Sequence, residues 1–249
     1  GESFGAGAPD AGAGARIDTD ALRHRMKPLV VVRPEPGAAA TAEAARMLGL
    51  EPVAIPLFTV RPLQWEPPDP SAFDALLFTS ANAVRHGGPA LDALRRLPAH
   101  CVGEATAEAV RKFGFEVAKV GEGRVDGLLG SLPGDLRLLH LCGLDRRQPK
   151  EPRQAITVVP VYQAEEIPAP AGFSEIQGSV VALHSPRAGS RVGRMVDQFG
   201  LRRDRIALAG ISPEAIEAAG TGWLAVKSAR QPNDTDLLAI AEELCENPR

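Results

Sequence analysis

Short apolar runs alternate with stretches of helical spacing from residue 28 onward, and the alternation is broken twice. Residues 28–32 (PLVVV) read as a strand, 37–48 as a helix and 52–58 as a second strand. Pro62, Pro67, Pro68 and Pro70 then crowd into residues 61–70, which makes that segment an extended, stiff linker. A second break, 164–172 (AEEIPAPAG), has the same character. Between the breaks lies an α/β block, residues 71 to about 161. A second block follows: a strand at 179–183, a helix from Pro186, a strand at 205–209, a helix to Ala219, a strand at 223–226 and a helix at 234–245. Asn233 or Asp234 caps that last helix.

Strands that alternate with helices through right-handed crossovers form parallel sheets, with ligand sites at the carboxyl ends of the strands. The C-terminal block has too few strands for a doubly wound sheet by itself, and the strands at 28–32 and 52–58 can complete it. The pattern therefore predicts an α/β protein of two lobes, each a small doubly wound parallel sheet flanked by helices (flavodoxin-like), joined by a two-stranded linker. Lobe 1 is expected to be discontinuous, 28–58 plus 173–249. Lobe 2, 71–160, is expected to be inserted through linkers at 59–70 and 161–172, whose hinge permits opening and closing. Residues 1–27, rich in Gly and Ala and without sustained periodicity, read as a disordered extension.

Within the two blocks one local pattern is duplicated. An apolar strand runs into a hydroxyl-rich turn at 76–85 (LLFTSANAVR) and again at 181–191 (VALHSPRAGSR). Each is followed by a second strand-to-helix turn, 102–110 (VGEATAEAV) and 209–218 (AGISPEAIEA), at nearly the same distance along the chain. A serine at such a turn can cap the helix while the next backbone N–H groups stay unpaired, and the helix start adds partial positive charge. Four such ends facing one cleft would hold a ligand bearing many carboxylates or phosphates. The candidate contacts are Thr79, Ser80, Asn82, Gly103, Thr106, Ser185, Arg187, Gly210 and Ser212, with Arg33 directly after the first strand. Taken singly, each hydroxyl also reads as a simple helix cap, and Arg33 and Arg187 as solvated surface charges. Tyr162, the only tyrosine, ends a strand in VVPVYQ (158–163) at the entry to the second linker. A phenol there can donate a hydrogen bond or a proton, or merely bridge core and water.

Composition narrows the classes. With 44% hydrophobic residues in 249, the chain can bury ordinary cores, and a net charge of −3 leaves no basic footprint for nucleic acid. An anionic ligand must therefore be met by local fields. Cys101, Cys142 and Cys245 are scattered and odd in number, which suits neither a disulfide framework nor a zinc site. No apolar run approaches the roughly 20 residues of a membrane span and no basic-then-apolar leader opens the chain, so a cytoplasmic protein without membrane contact is expected. His184 adjoins Ser185, but neighbouring strand residues point to opposite faces and there is no G-x-S-x-G elbow. His86, His100 and His140 are isolated and no H-E-x-x-H spacing occurs, so no metal is expected. GEGRVDG (121–127) lacks both Walker and dinucleotide spacing and reads as a strand-to-helix connection.

VVRP (31–34), FTSANAVR (78–85), VGEATAEAV, VVPVYQ, HSPRAGSR (184–191), AGISPEAIEAAG (209–220) and PNDTDLL (232–238), in that order, resemble the uroporphyrinogen-III synthase family. The resemblance covers residues 28 to about 245. It implies two α/β lobes on a two-stranded linker, the first lobe made from both chain ends, with no cofactor and no metal. It also implies a hydro-lyase that converts hydroxymethylbilane, a linear tetrapyrrole polycarboxylate, into uroporphyrinogen III with loss of water and inversion of ring D. That product stands before the routes to haem, sirohaem, chlorophyll and cobalamin. Loss of the hydroxyl on ring A gives an azafulvene, and unassisted closure at the free position of ring D gives isomer I. The enzymes of this family instead favour attack from the substituted carbon, through a spiro intermediate. Tyr162 matches the family's strand-end tyrosine and would assist departure of the hydroxyl. The expected partners are the substrate alone, bound by a monomer, and hydroxymethylbilane synthase as a transient donor. Residues 143–153 (GLDRRQPKEPR) depart from the family pattern, because Pro149 and Pro152 break a stretch that is usually a full helix. His184 and Cys142 are unusual beside site turns. The alternative reading is a non-catalytic two-lobe cytoplasmic binding protein, or a regulator, for an anionic small molecule; such a sensor needs no phenol in its cleft.

Overall fold

The computed structural model describes residues 26–146 and 148–246, so the expected extension at 1–27 lies almost wholly outside the described residues. Along the chain run β1 (Leu29–Val31), α1 (Gly37–Met47), β2 (Pro52–Ala54), β3 (Phe58–Pro62), β4 (Ala75–Phe78), α2 (Asn82–His86), β5 (Ala99–Cys101), α3 (Glu104–Lys112), β6 (Val117–Val120), α4 (Val125–Gly130) and β7 (Arg137–Gly143). Then follow β8 (Ala155–Glu166), β9 (Val180–Leu183), α5 (Pro186–Gln198), β10 (Ala207–Gly210), α6 (Pro213–Glu217), β11 (Ala225–Ser228) and α7 (Asp234–Glu246).

Two sheets result. The first has the order β11-β10-β9-β1-β2 with every pair parallel, so β1 and β2 from the start of the chain lie beside strands from its last third. The second has the order β3-β8-β7-β4-β5-β6 and is parallel except for β3 against β8. Helices cover both faces of the first sheet, which is why its central strands are apolar at every position. Val30, Val181, Leu183 and Leu208 pack under α5, while Val31, Ala182, Ala207 and Ala209 pack under α1 and α7. In the second sheet Leu76, Phe78, Leu139 and Leu141 share a core with α2 and α3, and Ala75, Leu77 and Leu138 share one with Leu128 and Leu129 of α4.

Two local features differ from the sequence pattern. The predicted strand at 52–58 is divided between the sheets: β2 ends at Ala54, and Phe58 opens β3 in the other sheet. Pro56 between them has no N–H to continue a ladder, while Ile55 and Leu57 still donate to Val31 and Val32. The predicted linkers are themselves paired strand for part of their length. Phe58↔Glu166 through Pro62↔Tyr162 form an antiparallel ladder, so the chain passes between the sheets on a hydrogen-bonded ribbon. Residues 144–154 join the parallel neighbours β7 and β8, and no helix occurs among the described residues of that connection.

Candidate active site

The duplicated turns lie at the carboxyl ends of their strands, where parallel sheets expose backbone donors to ligands. In the second sheet Thr79, Ser80 and Asn82 follow β4, and Gly103 follows β5, the neighbouring strand. In the first sheet Arg33 follows β1, Ser185 follows β9, and Gly210 ends β10 with Ser212 just beyond it.

Tyr162 is aimed by an irregularity in its own strand. Cys142 pairs with Pro160 but Gly143 pairs with Tyr162, so Val161 is the extra residue of a bulge that redirects the next side chain. Gly143 makes room for the ring, since a Cβ there would lie 2.9 Å from Tyr162 Cε2 and Cζ. The phenol meets the Ser80 side chain and the Gly143 backbone N–H, and the His86 ring lies 6.2 Å away between centroids. Burial raises the phenol above its ordinary value against the pull of those two hydrogen bonds, so Tyr162 stays protonated at neutral pH and is able to donate. Ser80 Oγ also accepts from Asn82 N at 3.2 Å, which ties the start of α2 to the same hydroxyl. Thr79 Oγ1 lies 2.9 Å from Nε2 of His140.

The other turns offer their donors in different ways. Gly103 is the N-cap of α3 in an extended conformation without a side-chain cap bond, and Thr106 is buried in the first turn of that helix. Ser185 caps α5 by accepting from Ala188 N at 3.1 Å. Ser212 is the N-cap of α6 without a side-chain bond, and bare Gly210 gives Ile216 its space. The helices α2 and α6 are only five residues long, so the duplicated turns open two full helices and two short ones.

The two arginines are already engaged. Arg33 Nη1 donates to Asp234 at 3.0 and 3.1 Å and to Thr41 at 3.2 Å, and Thr41 donates to Asp234 at 2.6 Å. Burial alone would raise the Asp234 carboxyl, yet hydrogen bonds from His184 and Thr41 and the charge on Arg33 hold it below the ordinary carboxylate range. Burial pushes His184 down more than Asp234 lifts it, so a neutral imidazole stands beside a carboxylate whose counter-ion is Arg33. Arg187 pairs with Asp145, donates to the Ala164 carbonyl at 2.7 Å and stacks 4.7 Å over the Phe58 ring. It thereby ties α5 to the β7–β8 connection and to the ribbon. On the other side the turn before α7 approaches the second sheet, since a Cβ on Gly123 would lie 3.7 Å from Pro232.

Sequence reasoning missed Gly143, Asp234, Thr41 and Asp145. Asp234 stood in view only as a helix cap, a role that Asn233 fills by accepting from Asp236 N at 2.8 Å. The thiols of Cys101 and Cys142 are buried and pushed up to about 11, which removes them as nucleophiles at neutral pH. A recess of about 270 Å³ between α2 and α3, lined by Val84, Arg85, Glu108 and Phe113, is too small for a folded tetrapyrrole and lacks Tyr162.

The sequence profile of the family described as uroporphyrinogen-III synthase HemD matches residues 39–239. The fold is similar to uroporphyrinogen-III synthetase from Helicobacter pylori, at 18% identity and a TM-score of 0.60, covering 88% of this chain and 100% of that one. It is also similar to a mutant uroporphyrinogen III synthase from Thermus thermophilus, at 16% identity and a TM-score of 0.50, with the same coverage. No curated relative matches the chain. With the profile spanning residues 39–239 of the 249, the chain belongs to the uroporphyrinogen-III synthase family.

Proposed function

We propose that Tyr162 is the acid of the family's hydro-lyase reaction, in which hydroxymethylbilane loses water and closes to uroporphyrinogen III with ring D inverted. The carrying observation is a phenol seated by the bulge, Gly143 and Ser80 where the second sheet meets the ribbon. The Tyr162 hydroxyl donates to the departing hydroxyl of ring A, which leaves as water. The azafulvene is attacked by the substituted carbon of ring D, and the proton lent to the leaving group is recovered as the pyrroles regain neutrality. The net change is loss of one water, so no oxidant, reductant or second substrate enters. The family favours the synthase over the binding-protein reading.

Thr79, Ser80, Asn82, Gly103, Thr106, Ser185, Gly210 and Ser212 are proposed to hold the carboxylates through backbone and hydroxyl donors. Arg33, shared with Asp234, and Arg187, shared with Asp145, supply partly neutralised positive charge. The proposed lobes are 28–58 plus 173–249 and 71–160, hinged at 59–70 and 161–172. Holding the bilane folded between them is a positioning task in which orientation can contribute on the order of 7 to 11 kcal/mol. No helix among the described residues is long and apolar enough to cross a membrane. We place the enzyme in the cytoplasm as a monomer that takes the bilane by transient handover from hydroxymethylbilane synthase, because free bilane closes unaided to isomer I.

The test is to supply freshly generated hydroxymethylbilane and separate isomers I and III after oxidation. The native chain should give isomer III, and Tyr162→Phe should lose about 10² to 10⁴-fold in rate with its fold intact. Isomer I alone from the native chain would overturn the assignment, and full activity in Tyr162→Phe would remove that residue from the chemistry.

A further inference from the structure

We infer that His140 is a positioning residue that fixes the Thr79 hydroxyl as a hydrogen-bond donor toward a substrate carboxylate. The inference rests on the reading that Thr79 contacts substrate. His140 lies on β7 opposite Leu77 of β4, and Thr79 is the next residue beyond Leu77 on the same face of the sheet. Only 1% of His140 is exposed. Its Nε2 lies 2.9 Å from Thr79 Oγ1, and its Nδ1 has no hydrogen-bond partner among the described residues.

A neutral imidazole carries one N–H, and the two tautomers have opposite consequences here. With the proton on Nδ1, a buried N–H donor is orphaned and Thr79 spends its hydroxyl proton on Nε2. With the proton on Nε2, the ring donates to Thr79 Oγ1 and only a lone pair is left unmatched at Nδ1. Buried orphan N–H donors are the rarer and costlier defect, so the Nε2–H form is selected. The Thr79 proton is then turned away from the ring, available to an acceptor at the carboxyl end of β4. A carboxylate, which only accepts, is the matching ligand group. Burial, helped by the charge on Arg146, pushes His140 down to about 4. The ring is therefore neutral at working pH, and it orients the hydroxyl without adding charge that would bind any anion indiscriminately.

The experiment combines kinetics on the whole chain with the nitrogen spectrum of the native protein. His140→Leu should raise KM for hydroxymethylbilane by about 5-fold, the worth of one oriented hydrogen bond, with kcat within about 2-fold. His140→Gln, whose amide can still donate, should recover most of the lost affinity. In a Thr79→Val background, His140→Leu should raise KM no further. Independently of any variant's folding, the ¹⁵N shifts of native His140 should report the Nε2–H tautomer. An Nδ1–H tautomer, or a His140→Leu effect that persists undiminished in Thr79→Val, would overturn the positioning role. Should Thr79→Val leave KM unchanged, the reading of Thr79 as a substrate contact fails, and the role of His140 falls with it.

Discussion

A Cβ on Gly143 would come within 3.1 Å of the Tyr162 hydroxyl as well as crowding the ring, so the smallest substitution at that position moves the group proposed to do the chemistry. Gly143→Ala is expected to cost about 10²-fold in kcat, the scale of a misplacement near 1 Å, while overpacking costs stability only about 1 to 3 kcal/mol. Isomer III turnover beside a urea midpoint separates the two, and unchanged turnover would mean that the ring's seat is irrelevant. His140 carries a pH prediction. Its folded value is depressed from 6.5 to about 4, so between those limits the unfolded chain holds more protons and stability falls as pH falls. Fully buried, it accounts for a loss on the order of 3 kcal/mol by pH 4. Denaturant midpoints from pH 7 to 4 should show that slope and His140→Leu should make it shallower; equal slopes would exclude His140 as a source. Tyr162 was legible as a candidate because it is the lone tyrosine, although it stands inside β8 and not at a strand end. Its seat was not, because Gly143 looked like the start of a loop and the bulge at Val161 exists only in the pairing of two strands. Nor was the Arg33–Asp234 pair, whose partners are 201 positions apart and meet only once the sheet is assembled.

At the scale of elements, the helices were readable from spacing, as was the return of the first strands to the C-terminal sheet, but the registers and the division at 52–58 were not. The alternation of apolar runs gives the α5 helix and its strand, but the reason that α5 fits against α6 lies in two glycines. A Cβ on Gly189 would be 2.1 Å from the Ala215 carbonyl oxygen, and one on Gly193 would be 2.6 Å from that of Ala219. Alanine in a helix interior gains about 1 kcal/mol of intrinsic propensity over glycine, but here the backbone of a neighbouring helix stands in the way. Gly189→Ala should therefore be net destabilising by about 1 to 3 kcal/mol, measured by urea unfolding; a rise in stability would show that α5 and α6 are not in close contact. The same limit applied to the segment at 52–58, where periodicity could not reveal that Pro56 passes the chain from one sheet to the other. The prolines at 61–70 predicted extended chain, and pairing with β8 makes the segment up to Pro62 strand.

Across the whole molecule the two sheets are joined by the ribbon of β3 and β8 and braced by Arg187, whose ion pair with Asp145 is largely solvent-exposed. Such a pair contributes little to stability, so Arg187→Ala should leave the unfolding midpoint almost unchanged. It should nevertheless let the lobes separate, which small-angle scattering would register as a larger radius of gyration, with KM rising several-fold. An unchanged radius and an unchanged KM together would reduce Arg187 to a surface contact. The order of the first sheet also bears on how the protein is made. Since β1 is flanked by β2 and β9, and the Lys27 backbone N–H donates to the Cys245 carbonyl at 3.0 Å, β1 and β2 wait for strands and a helix synthesised after the second sheet. The second sheet, contiguous in sequence, can fold during translation. A chain stalled once residue 170 has emerged should thus already resist protease across residues 71–160 while residues 28–58 are still cut, the inserted sheet being finished before the sheet that brackets it.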